Sequence, residues 1–227
     1  MLFRSYMTSI ISESKKMYLL RGVPGSGKST ISNAILFENG IDTSNIFIKN
    51  QHILSTDDFF IVKGKYNFDP RKLVQYHNAN QMRTEEQMKK GISPLLIDNT
   101  NIMPWEMKNY VELADKYGYE TIILNPEDFS NENNPLVITK KVINKNLILK
   151  RANDRRYDKS GKNIPDNILK RSIDNLNNYM NVTIDQIRQS KPPISKISNR
   201  KSNRKNLKFQ KLYYKYKLKY LKLKYKN

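Results

Sequence analysis

Residues 22–29 read Gly22-Val23-Pro24-Gly25-Ser26-Gly27-Lys28-Ser29, and they decide the fold of this chain. They satisfy every fixed position of the phosphate-binding loop pattern G-x-x-x-x-G-K-[ST]. The apolar stretch 17–20 is typical of a short buried strand, and residues 29–37 have the apolar spacing of a helix. A strand, a glycine-rich loop and a helix in this order predict a P-loop.

The residue types of this loop suit a nucleoside triphosphate. Glycines let backbone N–H groups surround phosphate oxygens, and the helix N-terminus adds its dipole. The Lys28 ammonium can reach the β- and γ-phosphates, and the Ser29 hydroxyl can ligate Mg²⁺. We therefore predict that the chain binds ATP and Mg²⁺ here. The predicted contact residues are Gly22, Pro24, Gly25, Ser26, Gly27, Lys28, Ser29 and Thr30.

Strand-like and helical patterns alternate along the rest of the chain. Further strands are predicted at 52–56, 95–97 and 121–124. Helices are predicted at about 70–90, 104–117, 145–157 and 166–180, with 125–145 as a loop insertion. This alternation predicts a three-layer α/β/α P-loop NTPase fold with a central parallel sheet, to which we add a helical lid.

The composition limits the class of protein. The chain has 227 residues and no cysteine, which excludes disulfides and zinc sites built on cysteine. No apolar run approaches the ~18 residues of a membrane-spanning helix. We expect an intracellular, soluble protein of the cytoplasm or nucleus. We divide it into an N-terminal extension (1–16), a P-loop domain (17–193) and a basic tail (194–227).

The positive charge is concentrated near the C-terminus. The net charge is +20, of which residues 191–227 contribute +14 with no acidic residue. Residues 207–227 interleave lysine with Tyr, Leu and Phe. This pattern favours nucleic-acid binding through phosphates and stacked bases, or attachment to an anionic membrane surface. The alternative is a plain low-complexity extension. Such tails resemble those on proteins of large DNA viruses, a hint of a viral or host-cytoplasmic setting.

Acidic residues follow two of the predicted strands. Ligands of open parallel sheets lie beyond the carboxyl ends of the strands. Asp57 is therefore a candidate general base that accepts the proton of an attacking hydroxyl, and Asp98 is a candidate Mg²⁺ ligand beside Ser29. The alternative for Asp57 and Asp58 is helix capping, and for Asp98 it is a turn. Residues 99–101 (Asn-Thr-Asn) are expected to position substrate or to cap the following helix.

Basic and histidine residues supply the remaining candidates. The stretch 150–156 contains three arginines on a predicted helix, which can form a mobile lid that stabilises transition-state charge. The alternative is a solvated basic helix face. The two histidines, His52 and His77, have no metal-ligand spacing to another residue. For His77 we predict a helix-surface position or a substrate contact.

These elements, in this order, resemble the P-loop kinase domain of the Nedd-four-binding-protein-two-like family. That family is grouped with polynucleotide 5′-kinases, zeta-toxin-type kinases and AAA-type ATPases. The matching stretches are YLLRGVPGSGKST (18–30), STDDFF (55–60), YNFDP (66–70), GISPLLIDNTN (91–101) and WEMK (105–108). The resemblance spans about residues 17–193.

The resemblance implies an ATP- and Mg²⁺-dependent kinase with a hydroxyl acceptor, for which a polynucleotide 5′-hydroxyl is one candidate. It places Asp57 at the position of the general base and Arg155 at that of the lid arginine. Phe60 departs from the pattern, because those kinases carry an arginine there that contacts the acceptor phosphate. Two alternatives remain: a P-loop ATPase that uses water, and a non-catalytic ATP-binding module that binds nucleic acid through its tail.

Overall fold

The computed structural model describes residues 14–125, 138–139, 142–143, 146, 150 and 164–192. Its central sheet contains four parallel strands: β1 (Lys15–Leu20), β2 (Ile53–Leu54), β5 (Leu95–Ile97) and β6 (Tyr119–Leu124). Their spatial order is β2-β5-β1-β6. Two short antiparallel pairs lie outside the sheet: β3 (Ile61–Val62) with β4 (Lys65–Tyr66), and β7 (Ile138–Thr139) with β8 (Val142–Ile143).

Helices connect the strands of the sheet. The described helices are α1 (Lys28–Glu38), α2 (Ile46–His52), α3 (Leu73–Lys89), α4 (Pro104–Tyr117), α5 (Asp166–Asn178) and α6 (Ile184–Gln189). Two 3₁₀ turns span Thr56–Phe60 and Pro70–Lys72. Helix α4 begins and ends where the sequence predicts: Pro104 occupies its first turn, and Gly118 follows its last residue with φ 68°.

Helices cover both faces of the sheet. Successive side chains of a strand point to opposite faces, so each strand contributes to the core on either side. On β1, Met17 and Leu19 pack into a core formed with α3, α4 and α6. Leu20, together with Tyr18, packs on the opposite face against α1. Strands covered on both faces read as continuous apolar runs, as residues 95–97 do. The predicted α/β fold with a central parallel sheet and flanking helices is therefore confirmed.

Several predicted boundaries need correction. The strand expected at 52–56 covers only Ile53–Leu54, because His52 ends helix α2 and Thr56 begins a 3₁₀ turn. Helix α2 itself was not predicted, although Asn45 caps it by accepting hydrogen bonds from two backbone N–H groups. The predicted loop insertion at 125–145 contains the short strands β7 and β8.

Other predictions fall largely on residues outside the described ones. Of the helix predicted at 145–157, only Asn146 and Lys150 are described, and both are helical. The extension 1–13, the lid region 151–163 and the tail from residue 193 lie outside the described part of the chain. Among the described helices, none is long and apolar enough to cross a membrane.

The topology brings three strand ends to one edge of the sheet. Strand β1 leads into the P-loop, β5 leads into Asp98, and β2 leads into Ser55 and the 3₁₀ turn. The Asp98 N–H donates to the Leu54 carbonyl (3.1 Å), and the Gly22 N–H donates to the Thr100 carbonyl (3.0 Å). These bonds fix the segments that carry the candidate site.

Arg21 connects this edge to the rest of the molecule. Its side chain is fully buried between strand β1 and the P-loop. The guanidinium donates to the carbonyls of Asn101 (3.1 Å), Ile102 (3.0 Å) and Tyr179 (2.7 Å), and to Asn125 Oδ1 (2.9 Å). One side chain thus joins the start of the P-loop to the segment before α4, the end of β6 and the end of α5.

Replacing Arg21 should destabilise the fold severely. Arg21→Met keeps a long apolar stem but leaves two buried carbonyls and one partly buried carbonyl without this donor, so we expect the free energy of unfolding to fall by about 3 kcal/mol or more. Urea unfolding measures the change. Arg171→Met, on the exposed surface of α5, is the matched control and should stay within about 0.5 kcal/mol of wild type. Equal midpoints for the two variants would contradict the role of Arg21.

Candidate active site

The P-loop has a backbone path that depends on glycine. Gly22, Gly25 and Gly27 have φ values of 140°, 87° and 100°, a region that L side chains rarely adopt. Space is also restricted at the first of them, because a Cβ on Gly22 would lie 2.6 Å from Ser26 Oγ. The loop can therefore fold tightly around its own interior only with this glycine.

Two side chains of the loop are directed into that interior. Lys28 Nζ donates to the carbonyls of Gly22 (2.8 Å) and Val23 (3.0 Å), so its ammonium lies under the loop. Ser26 Oγ is buried, and among the described residues it has no hydrogen-bond partner. A buried hydroxyl without an acceptor is unusual, and a phosphate oxygen would supply one. The loop residues therefore fit a bound phosphate chain.

Ser29 and Asp98 meet across the carboxyl edge of the sheet. Ser29 lies in the first turn of α1, and Asp98 follows β5 directly. The Ser29 hydroxyl donates to Asp98 Oδ2 over 3.0 Å. A hydroxyl and a carboxylate are oxygen ligands of the kind that Mg²⁺ takes, with phosphates and waters completing its shell. No group of three or more His, Cys, Asp or Glu side chains that could hold a metal occurs in the described residues.

Asp57 lies on the 3₁₀ turn after β2 and is held by Tyr66. The Tyr66 hydroxyl donates to Asp57 Oδ1 over 3.0 Å. Burial raises the pKa of Tyr66 well above its usual value, and the neighbouring Asp57 charge raises it further. The phenol therefore stays protonated and remains a hydrogen-bond donor at physiological pH. This hydrogen bond orients the Asp57 carboxylate.

Ser55 joins the two acidic residues of the site. Its hydroxyl donates to the Asp98 carbonyl (2.9 Å) and accepts a hydrogen bond from the Asp57 N–H (3.3 Å). A single hydroxyl therefore links the segment that carries Asp98 to the turn that carries Asp57. The carboxylates predicted as metal ligand and general base lie on directly connected segments.

Asp58 has a different environment from Asp57. Its carboxylate forms an ion pair with Arg83 of α3 at 2.8 Å. The same Arg83 nitrogen donates to the Ser55 carbonyl (3.1 Å) and to Asn80 Oδ1 (2.9 Å). Arg83 thereby fixes the 3₁₀ turn against α3. The sequence reasoning missed Arg83; the signal was a polar stripe on α3 at helical spacing, formed by His77, Asn80, Arg83 and Thr84.

Tyr66 was also missed as a site residue. It reaches Asp57 because β3 and β4 form a hairpin over Lys63 and Gly64, whose φ values are 52° and 75°. A two-residue loop that ends in glycine is compatible with a tight hairpin turn, because such turns require positive φ values. That signal could have placed Tyr66 beside the 3₁₀ turn.

The polar residues after Asp98 hold the strand ends together. The Asn99 side chain accepts from the Thr56 N–H (2.9 Å) and donates to the Tyr110 hydroxyl (3.2 Å). Asn101 Nδ2 donates to the Leu20 carbonyl (2.8 Å). The expectation that they cap the next helix is wrong, since Met103 is the N-cap of α4 and Glu106 bonds back to its N–H.

The two histidines have structural contacts. His52 is buried, and its Nδ1 donates to the Pro94 carbonyl over 2.7 Å. His77 Nδ1 lies 3.1 Å from Thr56 Oγ1, so it contacts the turn that carries Asp57. The predicted lid arginine, Arg155, lies outside the described residues.

Comparison with known proteins matches residues 17–128 to a family of AAA domains. The matched residues include the P-loop at 22–29. Over 111 residues it is 43% identical to NEDD4-binding protein 2 of Homo sapiens, an alignment that covers 49% of this chain and 6% of that protein. The resemblance that the motifs indicated is confirmed.

A second relative is less similar to this chain in sequence. Over 120 residues the chain is 27% identical to 2′,3′-cyclic-nucleotide 3′-phosphodiesterase of Mus musculus, covering 52% of this chain and 25% of that protein. The chain therefore spans a small part of the first relative and a quarter of the second.

Lys28 should decide nucleotide affinity. Lys28→Ala removes a charged donor from the loop interior, and such hydrogen bonds contribute about 1.5–3 kcal/mol. We expect the affinity for ATP with Mg²⁺ to fall at least tenfold in calorimetric titration. Lys170→Ala, an exposed lysine on α5, is the control and should bind as wild type does. Unchanged binding by the Lys28 variant would contradict the loop assignment.

Proposed function

We propose that this chain is an ATP- and Mg²⁺-dependent P-loop kinase that transfers the γ-phosphoryl group to a hydroxyl acceptor. The observation that carries the proposal is the Ser55 bridge, which connects the Asp57 turn to the segment of Asp98, itself bonded to Ser29. Phosphoryl transfer needs a phosphate cradle, a metal position and a base for the attacking hydroxyl at one place. The three strand ends supply residues suited to each.

Each residue has a distinct part in the proposed reaction. Bound ATP with Mg²⁺ supplies the phosphoryl group and a cation that neutralises phosphate charge. Lys28 stabilises charge on the phosphate chain, and Ser29 with Asp98 would hold the metal. The oxygen of the acceptor hydroxyl attacks the γ-phosphorus, and the Asp57 carboxylate accepts the proton of that hydroxyl. The bond to the leaving ADP oxygen breaks, and Tyr66 keeps Asp57 oriented throughout.

Parts of the proposal rest on the sequence resemblance. We propose that Arg155, in a helical lid, completes the charge stabilisation over the phosphates. We also propose that the kinase domain extends to residue 193. The 43% identity to NEDD4-binding protein 2 supports a P-loop domain of the same kind.

A polynucleotide 5′-hydroxyl is our candidate acceptor, and position 60 restricts how it can bind. Phe60 replaces the arginine that contacts the acceptor phosphate in polynucleotide kinases. Its side chain is only 1% exposed and packs against Tyr66, Phe68 and Tyr76. The side chain at position 60 therefore offers the acceptor phosphate no charged group. Other residues must bind that phosphate.

Asp57 should be essential for transfer and dispensable for ATP binding. Asp57→Asn removes the proton acceptor but keeps the size of the side chain, so we expect transfer to fall by about 10²–10⁴-fold. The assay is transfer of labelled phosphate from γ-labelled ATP to 5′-hydroxyl oligonucleotides. Asp58→Asn is the matched control, because this neighbouring carboxylate pairs with Arg83. It should keep transfer within about tenfold of wild type.

The same assay separates the alternatives. Transfer at a near wild-type rate by Asp57→Asn would reject Asp57 as the base. Release of phosphate without labelled acceptor would favour an ATPase, in which water replaces the acceptor hydroxyl. ATP binding without any turnover would favour a non-catalytic binding module. A screen over oligonucleotide, nucleoside and sugar acceptors extends the test to the acceptor class.

The basic tail should strengthen nucleic-acid binding electrostatically. Residues 191–227 carry a net charge of +14, and each phosphate neutralised by a cation steepens the salt dependence of binding. Deleting 195–227 should weaken oligonucleotide binding and flatten the plot of log affinity against log salt. Fluorescence anisotropy over a salt series measures both changes.

A charge-preserving variant is the control for this deletion. Changing the tail tyrosines to serine should keep the salt slope, because the lysines remain. It should lower affinity only through lost base stacking. An unchanged slope after deletion would show that the tail makes no phosphate contacts.

A further inference from the structure

An open cavity lies beside the 3₁₀ turn that carries Asp57. Its volume is about 390 Å³, within the range of small-ligand pockets. We call it the aromatic cleft. The lining residues that matter here are Phe59, Phe68, Asp69, Arg71, Lys72 and Tyr76. The cleft thus combines three aromatic rings with two basic side chains and one carboxylate.

The cleft is connected to Asp57 through ring contacts. Tyr66, which donates to Asp57, has its ring centroid 6.0 Å from that of Phe60. Phe60 in turn packs on Phe68 (4.9 Å) and Tyr76 (4.7 Å), which line the cleft. The buried ring of Phe60 therefore backs both the cleft and the residue that orients the proposed base. The cleft also includes Phe59, which lies on the same 3₁₀ turn as Asp57.

Phe68 is the ring that is available to a ligand. It is 51% exposed although one side of it packs on Phe60. Phe59 is more enclosed, since it stacks on Tyr76 at 5.6 Å and has the Arg83 guanidinium over its ring at 5.2 Å. A half-exposed phenylalanine on a rigid backing offers a flat apolar surface, which is the property that a planar base needs for stacking.

The charges around Phe68 suit a phosphate. Arg71 and Lys72 are exposed on the 3₁₀ turn that follows. Arg71 is held by Asp69, to which its Nε (3.0 Å) and an Nη nitrogen (3.2 Å) donate. This contact fixes the arginine beside the cleft and leaves further guanidinium donors for an anion. With Lys72 included, the lining carries an excess of positive charge.

We propose that the aromatic cleft binds the terminal nucleoside of the acceptor, with its base stacked on Phe68 and the adjoining 3′-phosphate at Arg71 and Lys72. This inference rests on the proposed kinase function, because it specifies what presents the hydroxyl to Asp57. Phe68 is then a specificity-determining residue. It makes a nucleotide a better acceptor than a simple alcohol, and Arg71 with Lys72 supply the phosphate contact that Phe60 cannot make.

The test compares two acceptors that differ only in the terminal base. One oligonucleotide has a 5′-terminal adenosine and the other a 5′-terminal abasic sugar, both with a free 5′-hydroxyl. Stacking of one base predicts that wild-type kcat/KM is about tenfold higher for the adenosine end. Phe68→Ala should lose this difference by slowing only the adenosine substrate. Phe68→Tyr keeps the ring and should keep the difference.

A matched phenylalanine controls for general damage. Phe37 is 78% exposed at the end of α1 and lies outside the cleft, so Phe37→Ala should discriminate as wild type does. Equal kcat/KM for the two acceptors in the wild-type protein would overturn the proposal. So would a Phe68→Ala variant that slows both acceptors equally, because a merely structural role predicts that result.

A second readout does not require catalysis. An oligonucleotide with a 5′-terminal 5-iodouridine, irradiated with the full chain, should cross-link to Phe68 or Tyr76, as located by mass spectrometry. The cross-link should be lost in Phe68→Ala. Cross-linking without phosphoryl transfer to any acceptor would support the cleft and reject the kinase. Transfer without cross-linking and without a base effect would reject the cleft and retain the kinase.

Discussion

The guanidinium of Arg21 is the contact on which the site edge depends. It is buried where strand β1 becomes the P-loop, and a buried cation is costly unless its donors are satisfied. Here the acceptors are three carbonyls and a side-chain amide from distant parts of the chain. The charge is tolerated only when those segments are all in place. Formation of the loop entrance is thus coupled to the ends of β6 and α5 and to the segment before α4.

The parallel sheet explains why residues far apart in sequence share one site. The carboxyl ends of β1, β2 and β5 lie together, so the P-loop, Ser55 and Asp98 need no long connections to meet. Side-chain hydroxyls and amides then bridge the ends: Ser55 between two strand ends, Asn101 between β1 and β5. These bonds satisfy polar groups that the end of the sheet leaves without ladder partners. The site is therefore built from the same bonds that close the edge of the sheet.

The sequence predicted what local patterns encode. The P-loop, the strand 95–97 and the helix limits at Pro104 and Gly118 follow from short motifs and punctuation, and the structure bears out each element. The partners of the acidic residues could not be predicted in the same way. Arg83 reaches Asp58 across 25 positions, and Arg21 reaches Tyr179 across 158. Such pairings depend on how helices and strands pack, which no short window contains. The strand at 52–56 was misjudged because a capping serine ended it early.

Position 60 shows how one buried ring constrains the surrounding chemistry. Phe60 fills the space between Tyr66, Phe68 and Tyr76, so an arginine there would be driven into a ring cluster that offers a guanidinium little hydrogen bonding. The aromatic cluster and an arginine at this position therefore exclude one another. Phe60 also packs against Tyr66, which donates a hydrogen bond to Asp57. Phe60 therefore offers a phosphate no charged group but supports the orientation of Asp57. In the proposed binding mode, positive charge for the acceptor phosphate comes instead from Arg71 and Lys72 on the exposed turn, next to the ring of Phe68.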